Sequence, residues 1–266
     1  MKPKVIFTLT IMLIVIAIST VSCVTGPLLT PPTQVDPSTQ RQNQFYAKTA
    51  INVPLLTEKN DITASGMISA GNSCYGKEAQ AAFMPAKHIG IMASYSEIKN
   101  GSSMDFRGWE LGAGYITNVA THVHFETYAG IGNGKIDNYH ETGTSSLKLT
   151  RYFIQHAIAI SNAKKTVQFA FVTKLSGTNF HSIDTTFNNE LEPINAEQVN
   201  NLYKQPFHVI LEPGFVFRFG WKYFLFHTGY SFASDFTNSH VNGSKGNFSF
   251  GVTTRFNATR KNKNHG

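Results

Sequence analysis

The sequence predicts an all-β chain, an antiparallel up-and-down transmembrane β-barrel of about ten strands, with eight possible. Three observations predict it. Period-two alternation recurs over ten segments, at 61–69, 77–85, 88–98, 105–117, 122–132, 146–160, 165–176, 206–219, 222–232 and 246–256, with no sustained helical period from Asp61 onward. One face of these segments is large and aromatic, whereas the other carries glycine, hydroxyls and lone charges. The gaps alternate long and short, as barrels with short periplasmic turns and longer outer loops require.

Residues 1–22 read as a secretory signal. Lys2 and Lys4 precede an apolar run, Val5 to Ile18, which ends in the small or polar stretch Ser19-Thr20-Val21-Ser22. The run is short of the roughly 20 residues that a spanning helix needs, the competing reading. Removing this segment lowers the formal charge of +7 by two. Cys23 follows directly, and Thr20-Val21-Ser22-Cys23 resembles the lipobox of bacterial lipoproteins, departing from it at Thr20, a position more often Leu. The resemblance implies that Cys23 is acylated (a palmitate-type anchor) and becomes the N-terminus, with Cys74 left as a free thiol; the alternative is an ordinary signal with an incidental cysteine. Residues 23–59 are rich in Pro, Thr, Gln and Asn, a composition that reads as a disordered tether. No acidic residue follows Cys23 within ten positions, which favours an anchor on the periplasmic side.

Residues 60–256 form the predicted barrel. In 105–117, Trp109, Leu111, Ala113 and Tyr115 oppose Gly108, Glu110, Gly112 and Gly114; in 206–219, Phe207, Val209, Leu211, Phe215, Phe217 and Phe219 oppose His208, Glu212, Gly214 and Arg218. The aromatic face is assigned to hydrocarbon and the polar face to the interior. A soluble lipocalin-like barrel binding an apolar ligand is the alternative, but its outer face should be rich in Lys and Glu. Gly220 is expected at the first central position of a type II′ hairpin turn. Pro213, in mid-strand and unable to donate to a ladder, predicts a bulge or kink at Glu212-Pro213-Gly214. An even strand count places both ends on the periplasmic side. Residues 257–266 form a basic tail that reads as disordered.

Ala50 to Lys59, Glu78 to Phe83, His88 to Ala93 and Arg151 to Gln155 resemble the small outer-membrane β-barrel lipoproteins of Bacteroidota. The resemblance implies a cell-envelope location and carries no defined activity. Phe256 fits the terminal aromatic of such barrels, while the tail after it departs from the pattern.

Candidate chemistry is sparse. Glu110, Glu126, Arg151, Glu212, Arg218 and Arg255 are expected to form an interior charge network, with His124, His208 and His227 beside them, because each outward basic residue near the bilayer midplane would cost about 2–4 kcal/mol. A narrow barrel filled by paired charges is favoured over a conducting or acid–base lumen. His122, His124, His140 and Glu141 lack the spacing of a zinc site, so no metal and no cofactor is expected. His181, Ser182 and Asp184 are the one compact set for a rim enzyme, with nothing to orient the histidine. Residues 190–203 are partly at helical spacing and suit a short helix capping the barrel. Asp184-Thr185-Thr186 resembles a short O-glycosylation acceptor. No P-loop, dinucleotide fingerprint or nucleic-acid motif occurs. The expected partner is membrane lipid, through Cys23 and the barrel exterior, with no nucleic acid and no enzymatic activity; the role expected is structural or interactive at the envelope.

Overall fold

In the computed structural model the described residues are 42–71, 74–186, 188–189, 192–237 and 246–258. The predicted signal, Cys23, the tether as far as Arg41 and the tail beyond Ala258 lie outside them. The elements are β1 (Asp61–Gly71), β2 (Cys74–Ala86), β3 (Ile89–Asn100), β4 (Met104–Ala120), β5 (Val123–Tyr139), β6 (Thr144–Ser161), β7 (Val167–Thr185), α1 (Pro193–Lys204), β8 (Phe207–Gly220), β9 (Phe224–Phe232), β10 (Ser234–Asp235) and β11 (Gly246–Asn257).

Each strand from β1 to β9 pairs antiparallel with the next, β9 pairs β11, and β11 returns to β1 through Asp61↔Asn257 to Ala70↔Phe248. The sheet is therefore closed. The short β10 continues β9 in the same register against β8, since Gly214↔Ser231 and Leu211↔Ser234 belong to one ladder. Ten staves result, and each overlaps one of the ten segments read from the alternation. Closure pairs each of the ten staves with a neighbour on both sides.

The faces are assigned as expected. Trp109, Leu111, Tyr115, Phe169 and Phe250 are 42, 51, 47, 46 and 47 % exposed on the outside, while Glu212, Arg218 and Glu126 are buried within. Three expectations about the connections fail. Strands continue past the predicted ends on the loop side, so 70–76 shrinks to the connection between Gly71 and Cys74, and 99–104 to Gly101–Ser103. Only 186–206, which holds α1, and 236–245 are long. The alternation weakens there because polar residues replace apolar ones on the outer face, although the ladder persists. Pro213 produces no bulge: β7 runs through Thr173↔Pro213 without a shift, and the strand on the other side is instead interrupted at Ala233. Gly220 does not open a type II′ turn. It closes β8 with φ +152°, and Trp221 N–H bonds to Phe224 O at 2.8 Å around Lys222 and Tyr223.

The largest departure lies before β1. Residues 43–56 are buried almost without exception. This segment occupies the axis of the barrel, so the disordered tether expected as far as residue 59 does not hold from Asn43 onward. Averaged composition over 24–59 concealed the run Phe45-Tyr46-Ala47 to Ile51-Asn52-Val53-Pro54-Leu55-Leu56, which is apolar enough to pack. Its contacts fix its direction. Asn43 and Gln44 bond to Ser145, Asn138 and α1 at the loop end, Asn52 to Gln155 near the middle, and Thr57 to Asp61 and Arg255 at the turn end. Sixteen residues (42–57) can span at most roughly 50 Å, and Leu55, at φ +54°, bends the segment near the turn end. The chain thus crosses the barrel once more than its wall does. Gln42 and Ala258 lie at opposite ends, contrary to the parity argument that put both termini on one side.

Candidate functional site

Inside a closed sheet, a threaded segment finds no continuous ladder to join: Tyr46 makes a single β-bridge, and the other N–H and C=O groups need other partners. Side chains of the wall supply them. At the turn end, Asp61 accepts N–H bonds from Thr57 and Glu58, both 3.0 Å, and pairs with Arg255 at 2.8 Å. One layer deeper, Glu126 accepts from Leu55 N at 3.2 Å and Leu56 N at 2.9 Å. Arg218 donates to Val53 O at 2.7 Å and Pro54 O at 3.3 Å, with its Nε on His227 Nδ1. Gln155 donates to Asn52 O at 2.7 Å. Glu78 accepts from Ala50 N at 2.8 and 3.0 Å and from Ser96 Oγ at 3.0 Å.

Above Glu78 sits a charged layer. Lys48 Nζ lies 3.3 Å from Glu212, and both side chains are fully buried. Lys174 bridges Glu110 at 2.7 Å and Glu212 at 3.8 Å, and Arg151 reaches Glu110 at 3.2 Å. Arg151 also covers the ring of Tyr46, and Lys174 that of Phe153. Desolvation costs several kcal/mol per ion, and the mutual attraction within this cluster works against that cost. The space beside Glu110 and Arg151 measures about 10 Å³, room for roughly one water. At the loop end, Asn43 is gripped by Asn195 of α1, His140 and Ser145, and Glu192 bonds to Thr142 and Asn195.

The expected six-residue network is therefore divided by height. Glu110, Arg151 and Glu212 share the middle layer; Glu126 and Arg218 instead hold the backbone of the threaded segment, and Arg255 closes the turn end with Asp61. Sequence reasoning missed Lys48, Asp61, Glu78 and Lys174. Lys48 was hidden in the supposed tether, and Lys174 in a strand whose two faces contrast weakly. Nor is the interior uniformly polar as expected. Phe45, Ile98, Phe106, Ile136, Leu147 and Phe180 pack with Val199 and Leu202 of α1, while Ile51, Val53 and Leu55 pack on Ala157, Ala170 and Val172. Phe45 and Ala47 of the threaded segment enter the first cluster and Ile51, Val53 and Leu55 the second, and their inward partners were invisible without it.

The threaded segment fills the space that an apolar ligand would need in a lipocalin-like barrel. At the rim, no hydrogen bond joins His181, Ser182 and Asp184 among the described residues. His181 has no opposite residue, because the register shifts between Lys148↔Ser182 and Leu149↔Phe180. His124 is held by Asn118 and by Ser161 Oγ at 3.1 Å, and His208 by Gln205 O at 2.9 Å. The expected cap helix at 190–203 is α1.

No family model matches the chain, and no curated protein does. Among solved structures it is similar to the N-terminal β-barrel domain of Pseudomonas aeruginosa OprF, at 8 % identity and TM-score 0.37, over 74 % of this chain and 98 % of that one. It is also similar to the KdgM porin, at 10 % identity and TM-score 0.34, over 74 % and 99 %. A third is the translocator domain of the autotransporter NalP from Neisseria meningitidis, at 10 % identity and TM-score 0.37, over 76 % and 91 %. Closure of this barrel rests on its own strand pairings.

Proposed function

We propose that the chain is an outer-membrane β-barrel lipoprotein, anchored through Cys23 and closed by its own residues 42–57, with a structural or interaction role and no enzymatic activity. The observation that carries the reading is the sorting of side chains across the wall. Outward positions between the ends of the strands hold Ile131, Ile154, Ile158, Phe169 and Phe171, flanked by Tyr95, Trp109 and Tyr152 toward the loops and by Tyr115, Trp221 and Tyr223 toward the turns. Such aromatic girdles bound an apolar band about 25 Å tall in membrane barrels. The outward Lys and Arg on the strands (Lys77, Lys99, Arg107, Lys135 and Lys148) all sit beyond the loop-side girdle. Arg151, Lys174, Arg218 and Glu212 face the lumen, where they do not meet lipid.

Short turns belong to the periplasmic side of such barrels. That orientation puts Ala258 in the periplasm and the exit of the chain at Gln42 on the cell surface. A filled lumen favours a scaffold or contact role over transport.

Alkaline washing of membranes, with mass spectrometry of the mature N-terminus, tests the reading. Wild-type protein should carry acyl mass on Cys23, and Cys23→Ser should stay in the membrane pellet, held by the barrel alone. Release of Cys23→Ser into the wash would contradict a spanning barrel; an unmodified Cys23 would contradict the anchor.

A further inference from the structure

We infer that the outer wall over β4–β7 carries a binding site for the phosphate groups of an outer-leaflet glycolipid. The inference rests on the membrane reading above and adds a ligand to it. Cross-strand register puts Lys77, Glu97, Arg107, Lys135, Lys148 and Ser182 in one row of neighbours across β2–β7, through Lys77↔Glu97, Glu97↔Arg107, Arg107↔Lys135, Lys135↔Lys148 and Lys148↔Ser182. All project from the outer face. A depression of about 310 Å³ opens on this row, lined by Tyr95, Arg107, Trp109, Lys135, Lys148 and His181.

Its polarity is what a phosphorylated amphiphile needs. Trp109 and Tyr95 form the floor on the hydrocarbon side, continuous with Leu111 and Ile131 below. Arg107, Lys135 and Lys148 form the upper wall, one residue pair closer to the loops. A guanidinium and two ammoniums within one groove suit phosphate oxygens, Arg as a planar fork and Lys as a point charge. Tyr95 Oη donates to Glu97 and Lys99 pairs with Asp105, while Asp137 pairs with Lys135 at 2.8 Å and competes with a phosphate for that one ammonium. Arg107 and Lys148 make no ion pair among the described residues. No carboxylate lines the groove itself.

Its placement adds a second argument. Outward cations on the strands are confined to β2–β6, at the loop end, whereas the turn-end lysines (Lys87, Lys164, Lys165 and Lys222) sit in the turns. The loop-end set therefore lies on the wall itself and along one flank of the barrel, where a headgroup beside the protein can reach it. His181 reaches the groove because the register shift leaves it as an extra, unpaired residue on β7.

Detergent-solubilised full-length protein would be mixed with bis-phosphorylated lipid A, its dephosphorylated form, or inorganic phosphate, and bound lipid counted by native mass spectrometry. Wild type should retain the phosphorylated lipid at least about tenfold more tightly than the dephosphorylated one, given the worth of each basic residue near an anionic surface. Arg107→Gln/Lys135→Gln/Lys148→Gln should lose that preference, whereas Lys164→Gln/Lys222→Gln at the turn end should keep it. All five side chains are solvent-facing, and heat-modifiable gel mobility confirms folding of each variant. Equal retention of both lipids by wild type, or an undiminished preference in the triple variant, would overturn the inference. Full competition by millimolar inorganic phosphate would reassign the groove to a free anion. Release of the protein from alkaline-washed membranes would instead defeat the membrane reading.

Discussion

Lys48 shows how much a single residue of the threaded segment contributes. Its ammonium lies against Glu212 with neither side chain exposed, and Lys174 is 3.8 Å from the same carboxylate. Removing one partner of such a pair leaves a buried charge uncompensated and costs about 3–5 kcal/mol. Lys48→Met should therefore lower stability by about 3 kcal/mol in urea unfolding of detergent-solubilised protein, Lys174 moderating the loss. Adding Glu212→Gln should recover most of it; equal instability in the double variant would show that the pair does not act as a unit. Half of this pair was legible in the sequence. Glu212 stands among phenylalanines in a strongly alternating strand, so its inward direction follows. Lys48 lies where Pro, Gln and Asn dominate the neighbourhood, and a lone lysine there reads as solvated. Glu78 was obscured differently: the alanines around it in β2 blur which face is apolar.

Among the elements, the strands were the most legible, because lipid and lumen impose opposite requirements on alternate residues. β4, β8 and β11 carry this contrast plainly. The ends were less legible, since beyond the girdle both faces are polar and the ladder leaves no trace in composition. Pro213 is accommodated by a break at Ala233 in the neighbouring strand, which the residues around Pro213 do not encode. Close strand approach can also be tested at this scale. A Cβ on Gly130 would fall 2.2 Å from Leu111 O and 2.4 Å from Phe153, whereas one on Gly66 would meet nothing within 4 Å. Gly130→Ala should cost about 1–3 kcal/mol through overpacking, and Gly66→Ala should be close to neutral. Matching unfolding midpoints for the two variants would show that β4 and β5 can spread apart at Gly130.

For the whole molecule, the decisive feature is the crossing number. Ten staves return the chain to its starting side, and the passage of residues 42–57 through the lumen reverses that outcome. Sequence periodicity counts strands because each has two faces; it does not register an extended segment surrounded on every side, whose partners are charges scattered over six staves. The same passage turns a barrel wide enough to raise the question of conduction into a filled one, and it brings Gln42 to the end capped by α1. Epitopes inserted separately before Gln42 and after Ala258 of the full-length chain, probed with antibody and protease on intact and on permeabilised cells, test this most directly. The threaded crossing predicts that the first epitope is reached on intact cells and the second only after permeabilisation. Both epitopes reached under the same condition would contradict it.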